Sequence, residues 1–237
     1  MDFETPLVPA TLIRRYKRFL ADVALDDGTE TTVHTPNTGS MLGCQAPGSR
    51  VWLLPSANPK RKYLLSWELV ESLPGVLVGI NTGRSNRLVE EAIRAGVIKP
   101  LAGYREIRRE VSLDNRASRL DFLLSGHRRR PPCFVEVKNV TAAVTERDAF
   151  FPDAVSTRAT RHLLELQQLL REGYAAALVF CVQRADVNRV RPAWEIDPEY
   201  AKTLKQSRRL GVDVLAYGAD VTPNAITLMR RLPVRVG

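Results

Sequence analysis

Two apolar runs with a turn-rich segment between them constrain the fold of this chain most strongly. The runs span residues 118–124 and 133–139, and Gly126, Pro131 and Pro132 lie between them. Apolar and aromatic runs separated by turn residues predict two adjacent antiparallel strands joined by a loop longer than a tight turn. Because apolar residues fill both runs, we expect the two strands to lie inside a sheet that is covered on both sides.

Three charged residues interrupt these apolar strands: Asp121, Glu136 and Lys138. Side chains alternate along a strand, so Glu136 and Lys138 share one face, and a simple antiparallel register brings Asp121 close to Glu136. Two carboxylates bind a hard divalent cation such as magnesium (or manganese) through oxygen. A lysine beside them can position an attacking water or help to deprotonate it. The pattern therefore predicts a metal site at Asp121 and Glu136 and a catalytic role for all three residues.

The same three residues also fit a simpler interpretation. An aspartate on one strand and Glu-x-Lys on the next can form a solvated face with cross-strand ion pairs. Charges placed in a doubly covered sheet lower stability, which favours a functional reason for their presence. The pattern alone leaves both interpretations open.

The chain is strongly basic and contains several arginine- and lysine-rich clusters. Its 35 Lys and Arg residues against 26 Asp and Glu give a formal net charge of +9. An excess of this size predicts affinity for a polyanion, and DNA is the leading partner. No base-reading motif is evident, so we expect binding largely independent of sequence. The clusters comprise Arg14, Arg15, Lys17 and Arg18, then Lys60, Arg61 and Lys62, and finally Arg128, Arg129 and Arg130.

The cysteines and the distribution of apolar residues predict a cytoplasmic protein with no membrane segment. Cys44, Cys133 and Cys181 are odd in number and form no C-x-x-C pair, which argues against a disulfide framework or a zinc site and suits a reducing cytoplasm. The first residues show no signal-peptide pattern. No stretch approaches about 18 uninterrupted apolar residues, so no transmembrane helix is expected.

Residues 1–80 are predicted to form an OB-like five-stranded β-barrel. Short apolar runs alternate with turn residues and show no helical period, which is typical of a small barrel. The five strands are expected near residues 12–25, 31–34, 50–54, 62–71 and 76–80. Aromatic residues interleave with the basic ones and either stack on bases or belong to the core; they are Tyr16, Phe19, Trp52, Tyr63 and Trp67.

Residues 81–237 are predicted to form a second domain with the order αβββαβ. Its first helix begins at Ser85 or Asn86, either of which can cap it, and ends at Gly96. Together with the barrel, this makes the chain α/β (α+β). The remaining helices are expected at 157–172 and 197–209, and the strands at 104–113, 118–124, 133–139, 175–182, 212–216 and 225–230.

Several longer strings make the resemblance to known proteins specific. The spacing D-x14-E-x-K resembles the site of the PD-(D/E)xK nuclease superfamily. The strings around it are similar to those of the sugar fermentation stimulation protein A (SfsA) family over essentially the whole chain. They include His34-Thr35-Pro36-Asn37-Thr38-Gly39-Ser40-Met41, Asn58-Pro59-Lys60-Arg61-Lys62, Val135-Glu136-Val137-Lys138-Asn139 and Phe151-Pro152-Asp153-Ala154.

The resemblance implies an N-terminal OB-like domain, a C-terminal PD-(D/E)xK nuclease-like domain, and DNA binding linked to regulation of sugar metabolism. By position it assigns Asp121 and Glu136 as metal ligands and Lys138 as the site lysine, with Glu90 or Glu91 as a possible additional ligand. We expect further DNA contacts from Arg119, Arg158, Arg161 and His162.

One string departs from the family pattern. Where the family has Arg-Gly-x-Lys-His, this chain reads Arg158-Ala159-Thr160-Arg161-His162. An arginine can hold a phosphate but does not give up a proton at working pH.

Two functional hypotheses remain. The first is a Mg-dependent endonuclease, in which Lys138 orients water for attack on a phosphodiester. The second is a non-catalytic DNA-binding regulator of sugar metabolism that uses the same platform only for binding. A sugar-metabolising enzyme is a distant third, since no cofactor or substrate-pocket motif supports it.

Overall fold

The computed structural model describes residues 1–113, 119–144 and 147–237. Ser118, the first residue of the predicted hairpin, lies outside the described residues. Three α-helices, two short 3-10 helices and fifteen strands occur in the described part, and the strands form a barrel, a central mixed sheet and a small third sheet. No described helix is long and apolar enough to cross a membrane.

The N-terminal segment forms a closed β-barrel. Neighbouring strands pair in the order β3-β2-β1-β4-β5-β6, and a parallel bridge between His34 and Ser66 joins β3 to β5. Five strands therefore close the barrel, as predicted, and β6 extends it beyond β5. The strands are β1 (Val8–Tyr16), β2 (Leu20–Leu25), β3 (Glu30–His34), β4 (Arg50–Pro55), β5 (Leu65–Leu73) and β6 (Val76–Gly79).

The predicted strand at residues 12–25 is in fact a hairpin of β1 and β2. Its turn places Lys17 and Arg18 in the left-handed region, at φ 49° and 64°. That conformation is normally indicated by Gly or Asn, and neither occurs here. The sequence therefore gave no cue to the turn, and prediction merged two strands into one.

Of the barrel aromatics, Trp67 lies in the core and not on a stacking surface. Its side chain is fully buried, and Nε1–H donates to the carbonyl of Leu69 at 2.8 Å. Phe19, by contrast, is 45% exposed on the barrel surface.

The C-terminal segment has the αβββαβ order expected from the sequence. Its strands form a six-stranded sheet in the order β15-β14-β12-β9-β8-β7, parallel between β9, β12 and β14 and antiparallel elsewhere. The elements are α1 (Ser85–Arg94), β7 (Glu106–Ser112), β8 (Arg119–Ser125), β9 (Cys133–Val140), α2 (Thr157–Arg171), β12 (Ala175–Val182), α3 (Pro198–Leu210), β14 (Asp213–Val221) and β15 (Ile226–Leu232).

A short third sheet of β10 (Ala143–Val144), β11 (Asp148–Phe151) and β13 (Arg189–Pro192) was not predicted. Its strands have two to four residues. Runs this short show no readable alternation.

Helices cover both faces of the central sheet, so Glu136 and Lys138 lie beneath a helix. Val135 and Val137 pack in one buried cluster with Leu88 of α1. Phe134 packs in a second cluster with Leu163 of α2. Because strand side chains alternate, Glu136 and Lys138 project toward α2.

The starts of α2 and α3 are fixed to each other by their caps. Ser156 accepts a hydrogen bond from the backbone N–H of Ala159 at 3.2 Å, and Asp197 accepts one from Tyr200 at 2.9 Å. Asp197 also accepts the backbone N–H of Ser156 at 2.8 Å. The first turns of α2, which carry Arg158, are thereby held in place over the sheet.

The barrel and the second domain pack directly against each other. The N–H of Gly79 in β6 donates to the carbonyl of Gln183 at 2.9 Å, and Arg84 pairs with the buried carboxylate of Glu68 at 2.6 Å. Leu69 of the barrel belongs to the cluster beneath α1. Side chains from both domains can therefore line the same pocket or surface.

Candidate metal and nucleic-acid site

The register of β8 and β9 places Asp121 opposite Glu136. Phe122 pairs with Val135, and the ladder ends there, one residue short of the two carboxylates. In place of a further ladder bond, the backbone N–H of Val137 donates to Asp121 Oδ2 at 2.7 Å. The carboxylate of Asp121 is thus held against the edge of β9.

Asn86, in the first turn of α1, holds the other oxygen of Asp121. Its Nδ2 donates to Oδ1 at 2.7 Å. Capping by Ser85 or Asn86 was predicted, but the residue before the helix is Arg84, which makes no side-chain cap bond. Asn86 was not predicted as a site residue, because an Asn at a helix start usually indicates a cap.

Glu136 lies under α2, with one oxygen doubly engaged and the other without a partner. Lys138 Nζ donates to Oε1 at 2.6 Å, and the ring Nδ1 of His162 contacts the same oxygen. Oε2 is buried and has no hydrogen-bond partner among the described residues. A buried carboxylate oxygen without a partner is unfavourable, so this atom has unused binding capacity.

His162 contacts Glu136 from α2, and it also lines an open cleft that borders Asp121. Its side chain is 4% exposed, and Arg158 Nε lies 3.5 Å from Nε2. Nε2 accepts from the arginine, and an ionised carboxylate only accepts, so Nδ1 carries the proton. The DNA contact expected of His162 stays a prediction, and its contact with Glu136 is an additional role that the sequence did not indicate.

The two carboxylates have opposite pKa shifts. Burial and the neighbouring charge of Glu136 together raise the pKa of Asp121 to about 6, against the lowering effect of the hydrogen bonds from Val137 and Asn86. Burial alone would raise the pKa of Glu136 as well. The hydrogen bond from His162 and the charge of Lys138 outweigh it and lower that pKa. One ionised and one easily protonated carboxylate thus face each other.

Glu90 and Glu91, the possible additional ligands, are engaged elsewhere. Glu90 pairs with Arg94 at 2.8 Å and with Arg109. Glu91 pairs with Arg87 and with the N-terminal amine, both at 3.0 Å. Within residues 1–113, 119–144 and 147–237, no group of three or more His, Cys, Asp or Glu is placed to hold a metal ion.

An open cleft of about 480 Å³ borders Asp121, and basic side chains line it. Arg158 and Arg161 project from the first turns of α2, and Arg119 projects from β8, where it pairs with Glu110 at 2.7 Å. The structure therefore brings these three predicted DNA contacts to the carboxylate site.

The barrel clusters lie apart from this cleft and differ in their engagement. Arg14 pairs with Asp22 at 2.8 Å. Arg15 is half-buried and donates to the backbone carbonyls of Asn37 and Gly39, both at 2.9 Å. These bonds give Arg15 a structural role in fixing that loop, and the DNA contact expected of it stays a prediction. The other basic residues of the two barrel clusters are exposed; they are Lys17 and Arg18, then Lys60, Arg61 and Lys62.

The residues present fit a magnesium-type cation. Asp121 and Glu136 offer hard oxygens at one place, and Glu136 Oε2 has no other partner. Mg²⁺ is usually held by one or two carboxylates while keeping several waters, so two side-chain ligands are sufficient. Electrostatically, a cation would also stabilise ionised Asp121 beside Glu136.

The fold defines a class: an OB-fold barrel joined to an α/β domain whose central sheet is covered by helices on both faces. A family model described as "SfsA N-terminal OB domain" matches residues 13–80, and one described as "Sugar fermentation stimulation protein RE domain" matches residues 83–225. The chain belongs to the sugar fermentation stimulation protein (SfsA) family.

Relatives match over nearly their full length. The sugar fermentation stimulation protein homolog of Thioalkalivibrio sulfidiphilus is 59% identical over 99% of this chain and 98% of its own. That of Alkalilimnicola ehrlichii is 54% identical over 99% of both. A solved structure, described as Pyrococcus furiosus SfsA in complex with Ca²⁺, covers 99% of this chain and 98% of its own, with a TM-score of 0.87 and 28% identity.

Proposed function

We propose that this protein is a divalent-cation-dependent nuclease that binds DNA largely without regard to sequence and hydrolyses its phosphodiester bonds. The observation that carries the proposal is the convergence of Asp121, Glu136 and Lys138, with Glu136 Oε2 buried and without a partner among the described residues. A buried carboxylate oxygen without a partner lowers stability, so a purely structural ion pair does not account for its presence here.

In this proposal Asp121 and Glu136 hold Mg²⁺ or Mn²⁺. The relative from Pyrococcus furiosus is described as a complex with Ca²⁺, a cation that also takes oxygen ligands. A cation held there supplies Lewis-acid stabilisation of charge on the phosphate and lowers the pKa of a bound water.

The protein's own groups position the reactants. Asn86 and the N–H of Val137 fix both oxygens of Asp121, and His162 fixes Oε1 of Glu136. Lys138 is bound to the same oxygen, so its ammonium lies beside the ligand and can orient a water for in-line attack.

Substrate binding rests on the cleft arginines and the net charge. Arg119, Arg158 and Arg161 line the cleft beside Asp121, and arginine forms strong paired hydrogen bonds to phosphate. These contacts are to the DNA backbone and do not distinguish one base from another. The same proposal places the protein in the cytoplasm, where its three free, buried cysteines stay reduced.

The test is cleavage of labelled DNA by purified protein with Mg²⁺, Mn²⁺ or EDTA. We expect metal-dependent cleavage by wild type and none by Asp121→Asn or Lys138→Ala. Lys202→Ala, at an exposed lysine on α3, is the matched control and keeps full activity. Cleavage that survives in EDTA, or in Asp121→Asn, would refute the assigned site.

A second candidate is a DNA-binding regulator without catalysis. It is favoured by the direct contacts of Glu136 to both Lys138 and His162, which can neutralise the carboxylate without a cation. It predicts salt-dependent DNA binding with no metal-induced change in stability and no cleavage. The same assay therefore separates the two functions.

A further inference from the structure

The two most distinctive sequence motifs line one pocket that the proposed chemistry does not use. Asn37, Thr38 and Gly39 contribute from the barrel, Phe151 from the end of β11, and Asp153 from the loop before α2. The pocket, of about 220 Å³, also borders Asn139 and Thr141 at the end of β9. Two sequence-distant motifs from different domains thus form its walls.

Two arginine side chains of the barrel hold the loop of Asn37, Thr38 and Gly39 in place. Arg15 donates to the carbonyls of Asn37 and Gly39, and Arg18 donates to that of Thr38 at 3.0 Å. Asn37 Oδ1 accepts the N–H of Gly39 at 2.8 Å. Supporting groups that fix a loop in one shape are typical of a preorganised binding site.

Asp153 joins this loop to the second domain. Its Oδ2 accepts from both the N–H and the hydroxyl of Ser40, at 3.0 and 2.7 Å. A Cβ at position 39 would lie 3.1 Å from the same oxygen, so glycine allows the close approach of loop and carboxylate.

Several polar groups of the pocket remain available. Asn139 Oδ1 accepts from Ser85 at 2.9 Å and from Gln183 at 2.6 Å, which leaves its amide N–H groups free to donate. Thr38 is exposed, and its hydroxyl bonds to no residue in the described part of the chain. Asp153 Oδ1 likewise accepts no bond from the described residues.

This chemistry suits a base and not a phosphate. The pocket offers amide and hydroxyl donors, one carboxylate acceptor and the aromatic side chain of Phe151, and a carboxylate disfavours an anion. Its volume is below the roughly 300–1,000 Å³ of pockets that enclose drug-sized ligands, which favours a single ring system. An extruded base is usually held by aromatic or apolar side chains together with hydrogen bonds to its Watson–Crick edge.

The size of the pocket selects for an unpaired base. A pocket of about 220 Å³ that encloses a single ring system admits a base only when that base is out of the duplex stack. The pocket also lies close to the metal site along the chain, because Asn139 directly follows Lys138 in β9. We propose that the pocket binds one unpaired nucleobase of the DNA strand held at the metal site, so that the preferred substrate contains an unpaired nucleotide. This inference rests on the proposed DNA function.

The test is equilibrium binding of the full-length protein in EDTA to a single strand of about 12 nucleotides, a length within OB-domain site sizes. In a series of such strands, one nucleotide at a time is replaced by an abasic site. We expect one position to weaken binding roughly 5- to 150-fold, the range for loss of one stacked base, and the others to matter little. A perfect duplex of the same strand should compete less well than the single strand.

Thr38→Trp fills the pocket mouth without touching the core, because Thr38 is exposed. We expect it to abolish the position dependence and leave the salt dependence unchanged. Thr29→Trp, at an exposed barrel threonine outside the pocket, is the matched control and should behave as wild type.

The outcomes separate this inference from the proposed function. Equal binding of every abasic strand, or a Thr38→Trp protein that keeps the position dependence, overturns the base pocket alone. Saturable binding of free glucose or ribose without position-dependent strand binding also overturns it and indicates a sugar site. Absence of any DNA binding overturns both, whereas position-dependent binding without cleavage refutes only the nuclease activity.

Discussion

Asp121→Asn should stabilise the protein without metal at neutral pH. The pKa of Asp121 rises from 3.8 to about 6 on folding because burial and the charge of Glu136 disfavour its ionised form. At 1.36 kcal/mol per pH unit, ionised Asp121 thus lowers the free energy of unfolding by about 3 kcal/mol above pH 6.

The substitution recovers only part of this free energy. Asp121 accepts hydrogen bonds from both Asn86 and the N–H of Val137, and an asparagine oxygen can replace only one of the two acceptors. Losing one such bond costs about 1 kcal/mol. The net stabilisation is about 2 kcal/mol, or roughly 4–8 °C in Tm for a chain of this size.

The sign of the effect should reverse with pH. A raised carboxyl pKa means that the folded state binds more protons between about pH 4 and 6, so wild-type stability falls as pH rises through that window and is level above it. Asp121→Asn should therefore be less stable than wild type by about 1 kcal/mol at pH 4 and more stable at pH 8.

Calorimetric melts in EDTA from pH 4 to 8, repeated with millimolar Mg²⁺ or Mn²⁺, measure the effect. A cation at ten times its Kd adds about 1.4 kcal/mol to wild type by mass action and nothing to Asp121→Asn. Asp220→Asn, at an exposed carboxylate on β14, controls for lost charge. A stability difference between Asp121→Asn and wild type that does not change with pH would refute the assigned burial and coupling.

Two further predictions concern the groups around the carboxylates. His162→Phe keeps a buried ring but removes the donor to Glu136, so calorimetric titration should show metal binding weakened about 10-fold or more. The salt dependence of DNA binding should not change. Unchanged metal binding together with a reduced salt slope would instead show that His162 contacts a phosphate. Arg119→Gln and Arg161→Gln should each reduce the slope of log Kobs against log salt for duplex DNA by about 0.9, as measured by fluorescence anisotropy. Arg209→Gln, exposed at the end of α3, should leave that slope unchanged if the cleft is the binding surface.

Local sequence patterns determined most of the elements of this protein. Alternation along β8 and β9 fixed which face carries Glu136 and Lys138, and the predicted strand at 175–182 matches β12 residue for residue. Such patterns are readable because a strand in a covered sheet has a period of two and helix ends have their own residue preferences. The β1–β2 turn escaped prediction because Lys17 and Arg18 adopt a conformation that their side chains do not indicate.

The composition of the site was decided only by tertiary structure. Asn86 and His162 lie 35 and 26 residues from the carboxylates that they contact. Their role follows from how α1 and α2 pack on opposite sides of one sheet. Glu90 was expected as a possible metal ligand, but its carboxylate is paired with one arginine of its own helix and with another of β7. A sequence shows which side chains have the chemistry to bind a metal or a carboxylate. Hydrogen bonds and charge interactions need short distances, and the packing of α1 and α2 on the sheet sets those distances. For this reason only the tertiary structure shows that Asn86 and His162 belong to the site.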